Sequence, residues 1–294
     1  MTNKQSLPLR GNKNCPVCNK LKPVVFWAQK GYPLARCRYC GMVWDYQYKQ
    51  EEISQYEELY FKNDNPKGGY ANYFDGMAIN KKTFSDRLKK IENRLGKKGK
   101  LLDVGCALGD CLLMARSLGW KEIEGIELSK YAANFARKRG LKITQGTLFT
   151  HKFKANSYDA ITLFDVIEHV SDPIDQLKQI KRLLKPGGIV LMVTPDIGGF
   201  WSWLLRSGWY HYKPGEHLLY FTQSTISTAL QKTGFKNIKT AKTYHVMSLE
   251  YILNRLRFYY PLVFTRLLSL ISKTRFKNIP FRVYAGELEA WGEK

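Results

Sequence analysis

From residue 100 onward the chain alternates short apolar runs with amphipathic helical stretches, and this alternation limits the fold more than any other feature. LLDVG (101–105) reads as a buried strand, and DCLLMARSLG (110–119) as a helix stopped by Gly119. KEIEGIEL (121–128) is a strand again. SKYAANFARKRG (129–140) is a helix with Ser129 as N-cap and Gly140 as its stop. LKITQG and YDAITLFDVIEHV each open as strands. DPIDQLKQIKRLLKPGG is a helix capped by Asp172, with Pro173 at its first position and a Pro-Gly-Gly stop; GIVLMVTP is a strand. A crossover that returns parallel to its predecessor lays its helix on the sheet, so such a series covers both faces of a parallel sheet. The expectation is an α/β fold, doubly wound about a mostly parallel sheet, with no internal repeat.

Ahead of this series stand two knuckles, Cys15-Pro-Val-Cys18 and Cys37-Arg-Tyr-Cys40-Gly41. The start, MTNKQSLPLRGNKN, lacks the apolar core of a signal peptide, and no run of about 18 apolar residues reads as a membrane span. The expected compartment is therefore the cytoplasm, where paired thiols signify metal rather than disulfides. Zinc takes four thiolates tetrahedrally at about 2.3 Å, and Cys15, Cys18, Cys37 and Cys40 supply them. Such a site has no open position, so its role is to fold a segment too small to fold alone. A ribbon without metal, or a redox pair, is the alternative. Cys106 and Cys111 have no ligand-spaced partners and read as small buried hydrophobes.

At 294 residues, 44% hydrophobic, the chain has room for one large domain and a small module, and disorder is excluded. We divide it into a zinc ribbon (1–48), a connector with N-terminal helices (49–99) and a catalytic domain (100–294). Within the connector, an acidic, tyrosine-rich helix is followed by an Asn/Pro/Gly turn cluster. Residues 76–95 then form a basic amphipathic helix with Ile79, Phe84, Leu88, Ile91 and Leu95 on one face. The formal net charge of +22 attracts polyanions, either nucleic acid or an anionic membrane face.

The strand LLDVG runs into Cys106-Ala107-Leu108-Gly109-Asp110. Small residues at 105, 107 and 109 allow close approach of a ligand to the backbone, and a helix N-terminus follows. The spacing D-x-G-x-x-x-G differs from the dinucleotide fingerprint G-x-G-x-x-G. Glu127 ends the next strand, where a carboxylate can accept both ribose hydroxyls of a nucleoside.

The succession LLDVGCALG, GIELS, YDAITLFDVIEHV and LKPGGIVLMVTP resembles the class I S-adenosylmethionine (SAM) dependent methyltransferases over about residues 95–240 and the last strand. In particular it looks like bacterial members that carry a two-knuckle ribbon and continue with Trp209-Tyr210-His211…Glu216-His217-Leu218-Leu219-Tyr220-Phe221-Thr222. Several of these accompany sugar or surface-glycan biosynthesis. The resemblance implies a Rossmann-like fold with a mostly parallel seven-stranded sheet. It implies that Asp103, Gly105 and Gly109 line the methionine part of SAM, that Glu127 binds its ribose, and that Asp165 touches the methionine end. Ala107 stands where the family usually has Gly. The loop Gln145-Gly146-Thr147-Leu148 lacks the acid many relatives place near the adenine, so Thr147 or the Leu148 backbone takes that position.

Asp165-Val166-Ile167-Glu168-His169 follows the fourth strand of this domain. Quinone-ring O-methyltransferases carry a similar carboxylate-x-x-carboxylate-His pattern that resembles a magnesium site. The alternative is that His169 caps and packs the following helix. His217 is the candidate general base, since a neutral imidazole can take a hydroxyl proton as the methyl arrives; otherwise it fixes its loop. His211 sits among Phe200, Trp201, Trp203, Trp209, Tyr210 and Tyr212, which form either a lid over a ring substrate or plain core. His151 and His245 carry no special context.

Residues 251–282 break the rhythm as a helical insertion before the last strand, VYAGELEAW. They mix Lys and Arg with Tyr, Phe, Leu and Ile and contain no acid. Such a segment can lie peripherally on the inner membrane face, or pack on the catalytic domain or a second subunit. The leading reading is methyl transfer from SAM to a small or lipid-linked acceptor, a sugar of a surface glycan by resemblance. An RNA methyltransferase is the first rival, favoured by the charge. Against it, there is no Asn-Pro-Pro-Tyr-type tetrapeptide, and Thr194-Pro195-Asp196 sits on a different strand. A non-catalytic binding protein on the same fold is the second rival, opposed by the intact Asp103, Gly105, Gly109 and Glu127.

Overall fold

The computed structural model describes residues 14–21, 23–29, 32–46, 73–257 and 260–294. Residues 1–13 and the first part of the connector (49–72), with the acidic helix expected there, lie outside the described residues. Strands β1 (Pro23–Gln29), β2 (Tyr32–Cys37) and β3 (Val43–Asp45) form an antiparallel ribbon beside the knuckles. Helix α1 (Tyr73–Leu95) follows, with Leu88 and Ile91 fully buried on its inner face.

The catalytic part then runs β4 (Leu101–Val104), α2 (Asp110–Ser117), β5 (Ile123–Glu127), α3 (Lys130–Lys138), β6 (Ile143–Gln145), β7 (Tyr158–Phe164), α4 (Pro173–Leu183) and β8 (Leu184–Pro195). It continues with α5 (Phe200–Leu205), β9 (Leu219–Tyr220), α6 (Gln223–Lys232) and β10 (Lys236–Lys242). The last elements are β11 (His245–Ser248), α7 (Leu249–Leu256), α8 (Pro261–Ile271), β12 (Pro280–Val283) and β13 (Glu287–Glu293). No described helix is long and apolar enough to cross a membrane.

The 7-stranded sheet has the order β10-β13-β8-β7-β4-β5-β6. β4 through β8 pair in parallel, and only β13 runs against its neighbours. From β4 the chain moves outward through β5 and β6, then returns to β7 and β8 on the other side. The order therefore reverses between β4 and β7, and a crevice opens outside their carboxyl ends. This is the Rossmann-like, doubly wound architecture expected.

Successive strand residues face opposite sides. Leu102, Ile161 and Val190 pack with α4 and α6 on one face, while Leu101, Ala160 and Leu191 pack with α1, α2 and α3 on the other. The caps foreseen at Ser129 and Asp172 are present: their side chains accept from the backbone N–H of Ala132 and Asp175.

Two details depart from the sequence reading. Helix α4 stops at Leu183, and β8 already begins at Leu184, so Pro-Gly-Gly lies inside the strand. The last strand starts at Glu287, not at Val283. Gly286, at φ +89°, breaks the chain direction, and Pro280–Val283 pairs with β11 instead. Strand β9, unmarked in the sequence, stands outside the main sheet. It pairs with β3, Val43 opposite Tyr220 and Trp44 opposite Leu219, and so completes the ribbon's sheet.

Candidate functional site

The loop after β4 has three left-handed residues, Gly105 (φ +70°), Ala107 (φ +47°) and Gly109 (φ +87°). The sequence reading assigned the glycines to ligand approach. The structure adds a packing cause: a Cβ on Gly105 would lie 2.5 Å from Val166 Cγ2, and one on Gly109 would lie 2.3 Å from Leu141 Cδ1. Glu127 reaches this loop from the end of β5. Its Oε2 accepts from the Ala107 N–H and its Oε1 from the Ser129 N–H, both at 2.8 Å. The Leu128 N–H also faces this carboxylate. Burial pushes the Glu127 carboxyl up.

Asp103 lies deeper. Its Oδ1 accepts from Thr162 Oγ1 at 2.6 Å, so the carboxyl bridges β4 and β7 inside the sheet. Burial, with the Glu127 charge adding, pushes it up to about 7 against the hydrogen bonds from Thr162 and Cys111. Asp165 follows β7 with φ +55°, its N–H bonded to Val193 O at 3.0 Å. Thr147 closes its own turn, accepting from Phe149 N–H and receiving Thr150 Oγ1 as the partner of its own N–H. Cys106 and Cys111 are buried, as foreseen.

A second group forms where the short helical turn 167–169 meets the segment before β9. Ligand atoms of Glu168, His169 and His217 lie within 4.8 Å of one another, and the two rings meet edge-on at 4.9 Å. His169 Nδ1 is 2.8 Å from Glu216 O. A carbonyl only accepts, so Nδ1 carries the proton and Nε2 is the lone-pair nitrogen. The N-cap of α4 is Asp172, so the alternative in which His169 caps this helix is not realised. Glu168 Oε2 accepts from Thr194 Oγ1 at 2.9 Å, while Glu168 Oε1 and His217 Nδ1 are buried without a partner.

Burial pushes Glu168 well up, the Asp165 charge adding, and pushes His217 well down, helped by His169 and Lys213. Both shifts favour the neutral form of the group. The cluster uses His217 rather than Asp165 beside Glu168 and His169. One carboxylate and two imidazoles do not match the oxygen ligands magnesium requires, so no step is derived through that ion.

Sequence reasoning missed a neighbouring buried tract. Glu287, at the start of β13, accepts from His245 Nε2 at 2.5 Å and lies 3.9 Å from both Arg87 Nη2 and His211 Nε2. Burial opposes its ionisation, yet His245, His211 and Arg87 hold it down to about 2. Burial drives His211 down to about 4. His211 stacks on His217 at 6.3 Å, so four of the chain's 5 histidines share one tract. The aromatic group splits: Trp209 is buried against Ile197 and Tyr220, whereas Phe200, Trp201 and Trp203 are exposed.

In the ribbon, the four thiols converge. Cys15 and Cys40 Sγ are 3.4 Å apart, as are Cys18 and Cys37, and all four lie within 4.8 Å. A tetrahedral zinc with 2.3 Å bonds needs sulfur separations of about 3.8 Å, so the set fits that ion. Backbone N–H groups of Cys18 and Tyr39 point at Cys15 and Cys37 Sγ, the usual support of a thiolate knuckle. Burial raises Cys40 to about 11; at Cys37 the N–H groups of Cys40 and Tyr39 outweigh burial and bring it to about 7.

The sheet order and its flanking helices define a Rossmann-like α/β class. A family model described as a methyltransferase domain matches residues 78–240, and the chain belongs to that family. It is 35% identical over 117 residues to the ubiquinone biosynthesis O-methyltransferase of Vibrio parahaemolyticus, covering 36% of this chain and 47% of that protein. Thus the chain spans about half the length of the first curated relatives it matches. An uncharacterised protein of Methanocaldococcus jannaschii is 27% identical over 174 residues, 59% of this chain and 80% of that one. Among solved structures, a SAM-dependent methyltransferase from Archaeoglobus fulgidus superposes with TM-score 0.52 at 13% identity, covering 76% of this chain and 99% of that one. A possible histamine N-methyltransferase from Thermotoga maritima gives 0.51 at 19%, covering 76% and 93%. These two likenesses concern the fold.

Proposed function

We propose that the chain binds SAM across the carboxyl ends of β4, β5 and β7 and transfers its methyl group to a small or lipid-linked acceptor, a sugar hydroxyl of a surface glycan. The observation that carries this reading is Glu127: a buried carboxylate at a strand end, held against the loop after β4 by the backbone N–H groups of Ala107 and Ser129, where an acceptor suits a ribose diol. Gly105, Ala107 and Gly109 turn the loop that cradles the methionine part, with Asp103 beneath it and Asp165 at its end. Thr147 stands beside the adenine.

SAM supplies an electrophilic methyl on sulfur, and transfer needs mainly in-line placement of the acceptor oxygen. The hydroxyl proton goes to His217 Nδ1, which burial keeps unprotonated and which has no other partner. The His169 ring packs edge-on against His217. The glycan part rests on the sequence resemblance, while relatives named for ubiquinone biosynthesis make a ring hydroxyl an equally accessible chemistry. The +22 charge keeps RNA as a second acceptor class.

The test is calorimetric titration of the zinc-loaded protein with SAM and S-adenosylhomocysteine, repeated on Glu127→Ala. Expected is micromolar binding that weakens at least about tenfold in the variant, about 1.4 kcal/mol. Absence of binding by the folded protein would overturn the enzyme reading in favour of a binding protein. Acceptor screening then takes glycans first and RNA second, and a steep salt dependence of RNA binding would favour the latter.

A further inference from the structure

Helix α8 has the sequence PLVFTRLLSLI and no buried residue. Leu262 is 86% exposed, Leu270 68% and Val263 62%; Tyr260 and Phe276, just outside the helix, are exposed at 66% and 53%. A helix apolar on most sides ordinarily lies in a core or in lipid. At 11 residues it is about 16 Å long, roughly half the thickness of a bilayer's hydrocarbon, so it cannot span.

The surrounding charge identifies what covers it. Between Glu250 and Glu287 the sequence has no acid, and Arg257, Arg266, Lys273, Arg275 and Arg282 are all exposed. Asp86 on α1 meets Arg282 at 3.6 Å, at one margin of the patch. A two-fold contact between copies would set this patch against itself and oppose like charges. An anionic lipid surface instead accepts both the apolar side chains and the cations.

The fold also places the patch. β11 and β12 join the α7–α8 hairpin to the end of β10 and the start of β13, and Glu287 pairs with Pro195 at the carboxyl end of β8. The hairpin is thus rooted at the same edge of the sheet as the Glu127 loop.

We propose that α8 and the cations around it dock the protein on an anionic membrane surface, with the apolar side chains of Leu262, Val263 and Leu270 entering the headgroup region. This goes beyond methyl transfer and does not depend on it. The experiment is flotation of the full-length, zinc-loaded protein with phosphatidylcholine vesicles containing or lacking phosphatidylglycerol, alongside the double variant Leu262→Glu, Leu270→Glu. Expected is flotation that requires phosphatidylglycerol and weakens with salt, and a vesicle affinity at least about tenfold lower in the variant. Both side chains are exposed, so the variant should keep its circular dichroism, zinc content and SAM affinity. Lost SAM affinity in both proteins would count against the proposed activity and not against docking. Failure of the wild type to float, or equal flotation of the variant, overturns the proposal. So does a dimer that the variant abolishes without any vesicle binding.

Discussion

The Glu127 carboxylate, at the end of β5, holds the backbone N–H of Ala107 at 2.8 Å in the loop after β4. Ala107 sits at φ +47°, a conformation that costs a non-glycine residue of order 1 kcal/mol or more. Glu127 therefore shapes the loop before any ligand arrives. Glu127→Gln keeps one acceptor but turns an amide donor toward the other N–H. It is expected to cost about 1–3 kcal/mol in urea unfolding, because a buried donor is left unpaired. An unchanged unfolding midpoint would show that the loop holds itself.

Gly109→Ala tests whether the glycine serves the chain or the ligand. The added Cβ would meet Leu141 Cδ1 at 2.3 Å and Ala136 Cβ at 3.2 Å, at a φ of +87°. A loss of about 1–3 kcal/mol in the protein without ligand is expected from overpacking and backbone strain. Loss of SAM affinity at unchanged stability would return the residue to a purely ligand-facing role.

The Asp103 carboxyl, pushed up to about 7 from an ordinary 3.8, makes stability depend on pH. Between those values the native chain keeps a proton that the unfolded chain has released. This group's contribution therefore falls as pH climbs from about 4 to about 7 and stays low above, a difference on the order of 4 kcal/mol. Asp103→Asn cannot ionise, yet its Oδ1 still accepts from Thr162. The melting temperature of the variant relative to wild type is expected to be clearly more favourable at about pH 8 than at about pH 5. A pH-independent difference would contradict the raised value.

His217→Asn is expected to lower kcat by about 10²- to 10⁴-fold if His217 takes the acceptor's proton, with SAM affinity preserved. An equal fall in SAM affinity would mean that the histidine only supports the fold of its loop.

Removal of zinc should be felt at His217. Asp45 Oδ2 accepts from Gly215 N–H at 2.8 Å, Asp45 N–H donates to Leu218 O, and Glu216 O holds His169. Chelation, or Cys18→Ser, is expected to abolish turnover while SAM binding persists, read by single-turnover assay and calorimetry on the same sample. Full activity of the zinc-free protein would refute the coupling.

The sheet and its caps were legible in the sequence because they rest on local signals. Short continuous apolar runs, Ser129 and Asp172 before helices, and glycines after them act within a few residues. The thiol set was legible because each knuckle is local and only the pair must meet. Glu287, Arg87 and His245 were not, because they lie on β13, α1 and β11, far apart in sequence, and nothing in their neighbours marks them. A hint was the pair of acids, Glu287 and Glu289, inside a strand of otherwise core-like residues, GELEAW. The strand pairing of Leu219 and Tyr220 was equally hidden, since a two-residue strand has no period to read.

The pairing of β3 with β9 means that the ribbon and the methyltransferase domain share a seam rather than a tether. Recombination that carried residues 14–46 into another protein would leave the backbone of Leu219–Tyr220 as a raw edge, open to adventitious strand pairing. Grafting the ribbon onto a different methyltransferase would therefore require transplanting its docking strand as well.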